Sequence, residues 1–109
     1  MKLDKETLGG VLVVRAEGDL TAATSAPLEE LVRAEIAGGV RRIVIDLEGV
    51  RYVASAGLRV FMIAAKTIGP DGRLLLAGAN AAVRQVLDMT GLSGIIGVYP
   101  TTAEAVAAA

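Results

Sequence analysis

A single serine, Ser55, stands between small residues in the stretch LEGVRYVASAGLRVF, where one apolar run ends and a second begins. A serine nucleophile needs a base, but the chain has no histidine and no cysteine. The remaining candidate bases are Lys66 or a carboxylate, and Lys66 would lie about 16 Å away along a helix that rises about 1.5 Å per residue. The flanking residues are also not a G-x-S-x-G elbow. We therefore expect no catalysis at Ser55 and no enzyme activity.

Two other roles remain open for the hydroxyl of Ser55. As a helix N-cap it would accept an orphan backbone N–H and stabilise the helix by about 1 kcal/mol. As a phosphoacceptor it would carry a charge of about −1.5 to −2 where helix N–H groups can hold a phosphate. The two roles are compatible, because a hydroxyl at a helix start is often exposed to a partner.

The elements that must position Ser55 read β-β-α-β-α-β-α-β-α. Buried strand-like runs alternate with amphipathic helices, which predicts an α/β fold with a mixed, mostly parallel sheet of about five strands and about four helices. Gly9-Gly10 predicts a tight opening hairpin, so the first strand should be antiparallel to the second. Asn80 is a candidate N-cap for the third helix, and Thr101 with Glu104 forms a capping box for the last.

The helix predicted over residues 56–68 carries more apolar positions than one stripe needs. At helical spacing its core face is formed by Leu58, Phe61, Met62, Ala65 and Ile68. The apolar residues outside that stripe are Val60, Ile63 and Ala64. They lie either beneath a neighbouring element or in an apolar patch near Ser55 that would suit a protein partner.

Polar residues follow the predicted strands at one edge of the sheet, where sites gather in open α/β folds. Asp19 and Thr21 follow the second strand, Asp46 closes the third, and Asn80 follows the fourth. We therefore expect Ser55 at a helix N-terminus near Asp19 and Asp46. A phosphate there would be repelled by both carboxylates and would disturb a surface that a partner reads.

The composition excludes several classes of function. The 109 residues predict one domain over 1–109, and 53% hydrophobic residues permit a sizeable aliphatic core. The 11 basic and 12 acidic residues are dispersed, so nucleic acid is not an expected partner. No nucleotide-binding glycine motif is present and metal ligands are confined to carboxylates, so we expect neither cofactor nor metal. Without a signal peptide or a run long enough to span a membrane, we expect a cytoplasmic domain with no membrane partner.

Two stretches, GDLTAATSAPLEELV and the D-L-x-x-V-x-x-x-x-S-x-G-L pattern of residues 46–58, resemble the STAS domain of bacterial anti-sigma factor antagonists. The resemblance covers nearly the whole chain. It implies a partner switch in which the unphosphorylated protein binds an anti-sigma factor, often a serine kinase of the GHKL ATPase type, and so frees a sigma factor. Phosphorylation of Ser55 would end that binding, and a PP2C-type phosphatase would restore it.

The resemblance and the placement of the loops imply a partner-binding surface around Ser55, formed by Asp19, Thr21, Asp46, Ala54, Ala56, Gly57, Leu58 and Arg59. The usual loop of the family reads Asp-Ser-Ser/Thr-Gly-Leu. Here Ala54 replaces the acid, Ala56 replaces the second hydroxyl residue, and Thr21 stands where an Asp is common. The alternative is a STAS module of another assembly, such as a stressosome-type scaffold or a ligand sensor, in which Ser55 is only a cap.

Overall fold

Strands and helices alternate after an opening hairpin in the computed structural model, which describes residues 1–109. The elements are β1 (Lys2–Leu8), β2 (Val11–Glu17), α1 (Ser25–Ala37), β3 (Arg42–Gly49), α2 (Ser55–Ile68), β4 (Arg73–Ala77), α3 (Ala81–Met89), a short 3₁₀ helix (Leu92–Gly94), β5 (Gly97–Tyr99) and α4 (Thr102–Ala108). The predicted element order is confirmed, with the 3₁₀ helix as an addition. None of the helices combines the length and the apolar character needed to cross a membrane.

The five strands form one sheet in sequence order, β1-β2-β3-β4-β5. The β1–β2 pair is antiparallel and the other three pairs are parallel, so the predicted mixed α/β sheet is confirmed. Gly9 and Gly10 form the hairpin with φ of 56° and 79°, values that residues with a Cβ rarely adopt. Right-handed crossovers between successive neighbours place α1, α2 and α3 on the same face of the sheet.

The two faces of the sheet differ in how much they bury. The face under α1, α2 and α3 carries a core cluster of 22 buried residues, whereas the face under α4 carries one of six. Strand β3 shows the alternation, since Ile43, Ile45 and Leu47 belong to the larger cluster and Val44 to the smaller. A side chain near the end of β3 therefore points toward the larger cluster from an odd-numbered position and toward the smaller cluster from an even-numbered position.

Helix α2 buries a wider arc than the predicted stripe. Phe61 and Ile68 are buried as predicted, and Leu58, Met62 and Ala65 pack half-buried against the main core. The buried arc also includes Val60 and Ala64, because α2 packs against α1 as well as against the sheet. These two residues lie beneath neighbouring elements, and Ile63 is half-buried, so the three do not form an exposed patch.

Candidate functional site

The loops that follow β2 and β3 run side by side at the carboxyl edge of the sheet. Leu20 and Val53 form a parallel bridge beyond the ends of the two strands. The Leu20 N–H donates to the Tyr52 carbonyl at 2.9 Å, and the Ala54 N–H donates to the Leu20 carbonyl at 2.8 Å. These bonds fix the residues just before Ser55 against the loop that contains Asp19 and Thr21.

Hydroxyl groups hold the β2–α1 loop together. The Thr21 carbonyl accepts from the Ser25 hydroxyl at 2.5 Å and from the Ser25 N–H at 3.0 Å. The Thr24 hydroxyl accepts from the Thr21 N–H at 2.9 Å and donates to the Asp19 carbonyl at 2.6 Å. Thr24 is the N-cap of α1, yet its side chain caps no helical N–H. The threonines thus shape the loop that presents Asp19.

Gly57 brings the first turn of α2 into close contact with the β2–α1 loop. A Cβ at this position would lie 2.8 Å from Val53 Cγ1 and 2.9 Å from Leu20 Cβ, closer than side chains tolerate. Gly57 itself is buried, and its neighbour Leu58 packs half-buried against the main core. The absence of a side chain at Gly57 therefore sets the position of the residues around Ser55.

Ser55 lies at the start of α2, as expected, but it is the first helical residue and not the N-cap that was one of its two open roles. The N-cap is Ala54, which has an extended backbone with φ of −82° and ψ of 173°. Ala54 takes this place because its N–H is already bonded to the Leu20 carbonyl, which ends the extended loop there. Ala54 and Ala56 are half-buried, whereas Ser55 is exposed. No hydrogen bond of the fold uses the Ser55 hydroxyl, so it is free to meet a partner.

The charged side chains near the β2–α1 and β3–α2 loops form no close ion pair. Asp19 Oδ1 is buried and accepts no hydrogen bond. Its nearest cation is the Arg51 side chain, whose Nε lies 3.8 Å away, too far for a hydrogen bond, and which is 86% exposed. Arg59, on the first turns of α2, is exposed and has no ion-pair partner in the fold. The surface therefore offers one carboxylate and two arginines.

Asp46 does not lie beside Ser55, contrary to expectation. Its place on β3 directs the carboxylate to the face under α4, where it is buried. There Asp46 Oδ1 accepts from the Glu48 N–H at 2.9 Å, and Oδ2 lies 3.5 Å from Arg15 Nε. A hydrogen bond to Glu6, more than the charge of Asp46, raises the pKa of Arg15. Asp46 thus belongs to an ion cluster on the opposite face of the sheet.

A groove lies beside the site, and no sequence pattern predicted it. Asn80 Nδ2 donates to the Arg51 carbonyl at 3.2 Å, which ties the start of α3 to the β3–α2 loop. Between them lies a cavity of about 270 Å³, lined by Arg51, Tyr52, Val53, Ala82, Val83, Gln85 and Val86. Tyr52 is 56% exposed and is one of three aromatic residues in the chain, which is the signal that could have drawn attention to it. No cluster of three or more acidic residues is arranged to hold a metal ion.

Comparisons with known proteins agree with this fold. The family model of the STAS domain matches residues 2–105. The chain is 35% identical to the putative anti-sigma factor antagonist BtrV of Bordetella bronchiseptica, over 100% of this chain and 94% of that protein. It is 30% identical to the anti-sigma F factor antagonist of Paenibacillus polymyxa, over 91% and 86% of the two chains.

Among solved structures, an anti-sigma factor antagonist from Mycobacterium paratuberculosis superposes with a TM-score of 0.92. The two share 28% sequence identity, and the match covers 98% of this chain and 92% of the other. Family model, relatives and fold thus converge, and the chain belongs to the STAS-domain family of anti-sigma factor antagonists.

Proposed function

We propose that this protein binds an anti-sigma factor of the serine kinase type, so that a sigma factor is released, and that phosphorylation of Ser55 ends the binding. The observation that carries the proposal is the exposed hydroxyl of Ser55, which the fold leaves unbonded on a helix start fixed by two neighbouring loops. The names of the relatives support the antagonist role.

The proposed partner-binding surface surrounds Ser55 on the first turns of α2 and on the adjoining loop. Its members are Asp19, Thr21, Ala54, Ala56, Gly57, Leu58 and Arg59. Asp46, whose carboxylate lies on the opposite face, would contribute indirectly, because its bond to the Glu48 N–H shapes the end of β3. The partner would therefore bind at the carboxyl edge of the sheet, where the loop and the start of α2 are exposed.

The proposed switch is a single phosphoryl transfer in which this chain is a substrate and has no catalytic role. The Ser55 oxygen attacks the γ-phosphorus of ATP held by the kinase, the bond from that phosphorus to the bridging oxygen breaks, and ADP leaves. The hydroxyl proton passes to a base of the kinase. The product carries a charge of about −1.5 to −2 beside Asp19, so the surface becomes anionic where the partner docks. A PP2C-type phosphatase would hydrolyse the phosphate and restore binding.

The direct test is to incubate the protein with its kinase-type anti-sigma factor and ATP, followed by mass spectrometry of the peptide that contains Ser55. We expect phosphate on Ser55 in the wild type and none in Ser55→Ala. Binding of the kinase without any phosphate on Ser55 would show that the switch is wrong.

The charge effect can be measured separately with Ser55→Asp. We expect it to weaken binding of the anti-sigma factor by about tenfold, which is about 1.4 kcal/mol. The matched control is Ser55→Asn, which has nearly the same size but no charge and should bind more like the wild type. Circular dichroism should show the same fold in all three proteins.

A second function, a STAS module that binds its partner without a phosphorylation switch, is favoured by one observation. Ala54 and Ala56 present methyl groups where the family usually has an acid and a second hydroxyl. Under this alternative the wild type and Ser55→Asp would bind the partner equally, and no kinase partner would modify Ser55.

A further inference from the structure

Arg59 stands one helical turn after Ser55 and has no partner of its own. Residues four apart on a helix have Cβ atoms about 5–6 Å from each other. Side chains also lean toward the N-terminus of a helix, so a long side chain at position 59 leans back over position 55. Arg59 is exposed and forms no ion pair in the fold, so its guanidinium is free to move.

We propose that Arg59 receives the phosphate of phosphorylated Ser55 and is thereby withdrawn from the partner-binding surface. The inference rests on the proposed function, because it describes the phosphorylated state of the same switch. Guanidinium groups pair with phosphate through charge-assisted and often bidentate hydrogen bonds. Phosphorylation would therefore change two features together: it adds an anion and it removes an exposed cation.

The other charges of the site favour Arg59 as the receiver. Arg51 lies in the preceding loop and already faces Asp19, with Nε 3.8 Å from Oδ1. If Arg51 moved to the phosphate, the buried Oδ1 of Asp19 would lose its nearest cation. Asp19 repels the phosphate, and Asn80, at the start of α3, is neutral. Arg59 has no such competing partner, so its pairing with the phosphate costs the fold no existing contact.

The availability of Arg59 also indicates the chemistry of the partner. In the unphosphorylated protein its guanidinium is exposed beside a neutral hydroxyl and two alanines. An acidic group on the anti-sigma factor would pair with it there. Once the phosphate has taken the guanidinium, that acidic group would face a phosphate in its place, which gives repulsion where there was attraction.

The inference is tested on the full chain with phosphoserine installed at position 55 during synthesis, so that no kinase is needed. The readout is a ³¹P NMR titration of the phosphate, whose second ionisation has a pKa of about 6. Arg59→Gln should raise the midpoint by about half a pH unit, since a nearby cation favours the dianion. Arg59→Lys should stay close to the wild type, because it retains the charge.

Lys66→Gln is the matched control, since it removes one positive charge from the same helix. Position 66 lies about 16 Å from position 55, beyond the screening length of about 8 Å at physiological salt. Its midpoint should equal that of the wild type. An unchanged midpoint in Arg59→Gln, or an equal shift in Lys66→Gln, would overturn the role of Arg59.

The switch and the role of Arg59 can fail separately. If a kinase phosphorylates Ser55 and the midpoint does not respond to Arg59→Gln, the switch is supported and the role of Arg59 is wrong. If the midpoint responds but the kinase that binds the protein leaves Ser55 unmodified, the phosphate contact is real and the proposed switch is wrong.

Discussion

Helices α2 and α3 start at the same edge of the sheet but are held there in different ways. Each start is preceded by a residue with extended backbone, Ala54 with ψ of 173° and Asn80 with ψ of 172°. The Asn80 side chain accepts from the Val83 N–H at 2.8 Å, which satisfies one orphan donor of α3. Ala54 has no side chain that could do the same for α2.

This difference shows how a helix start becomes available for signalling. Asn80 is committed to the fold, because its side chain caps α3 and also bonds to the Arg51 carbonyl. At α2 the position is fixed by the backbone bond from Ala54 to Leu20 and by the close packing of Gly57. Ser55 is therefore not needed to hold the helix, and a modification of its hydroxyl breaks no bond of the fold.

The largest effect should come from breaking the packing that holds α2. Gly57→Val would place a branched side chain at a position where even an added Cβ would lie only 2.8 Å from Val53 Cγ1. We expect a loss of about 3 kcal/mol in the free energy of unfolding, measured by urea denaturation. The matched control is Ala56→Val on the neighbouring half-buried position, which should cost about 0.5 kcal/mol through helix propensity. Equal losses in the two variants would show that packing at Gly57 does not hold α2.

A smaller effect should follow from removing the cap of α3. Asn80→Ala leaves the Val83 N–H without its acceptor and should lower the free energy of unfolding by about 1 kcal/mol. Asn80→Ser keeps a capping oxygen but cannot reproduce the Nδ2 bond to Arg51, so it separates the two contributions. A stability of Asn80→Ala equal to that of the wild type would contradict the contrast between the two helices.

The features that the sequence predicted correctly depend on local patterns. The opening hairpin followed from Gly9 and Gly10, and the cap of α3 followed from an Asn directly before an amphipathic run. Thr101 likewise accepts from the Glu104 N–H at 3.2 Å at the start of α4. Each of these predictions requires only a few adjacent residues. The element order followed from the alternation of strand-like runs and amphipathic helices along the chain.

The features that the sequence did not predict depend on distant residues. Ala54 precedes α2 as its N-cap because its N–H is bonded to the Leu20 carbonyl, and no local pattern shows that bond. The side of the sheet on which Asp46 lies was hidden because β3 is buried on both faces, so its apolar run does not alternate. Asp46 was consequently expected beside Ser55, although its carboxylate pairs with Arg15 on the other face.

The smallest effect on stability should come from Ser55 itself. Ser55→Ala removes a hydroxyl that makes no hydrogen bond in the fold, so the free energy of unfolding should change by less than about 0.5 kcal/mol. Ala54→Ser provides the opposite control, because a hydroxyl at the true N-cap position should stabilise α2 by about 0.5–1 kcal/mol. If urea denaturation instead showed a loss of about 1 kcal/mol for Ser55→Ala and no gain for Ala54→Ser, Ser55 would be acting as the cap. The hydroxyl would then be committed to the fold in the same way as the side chain of Asn80, and phosphorylation would have to break that bond.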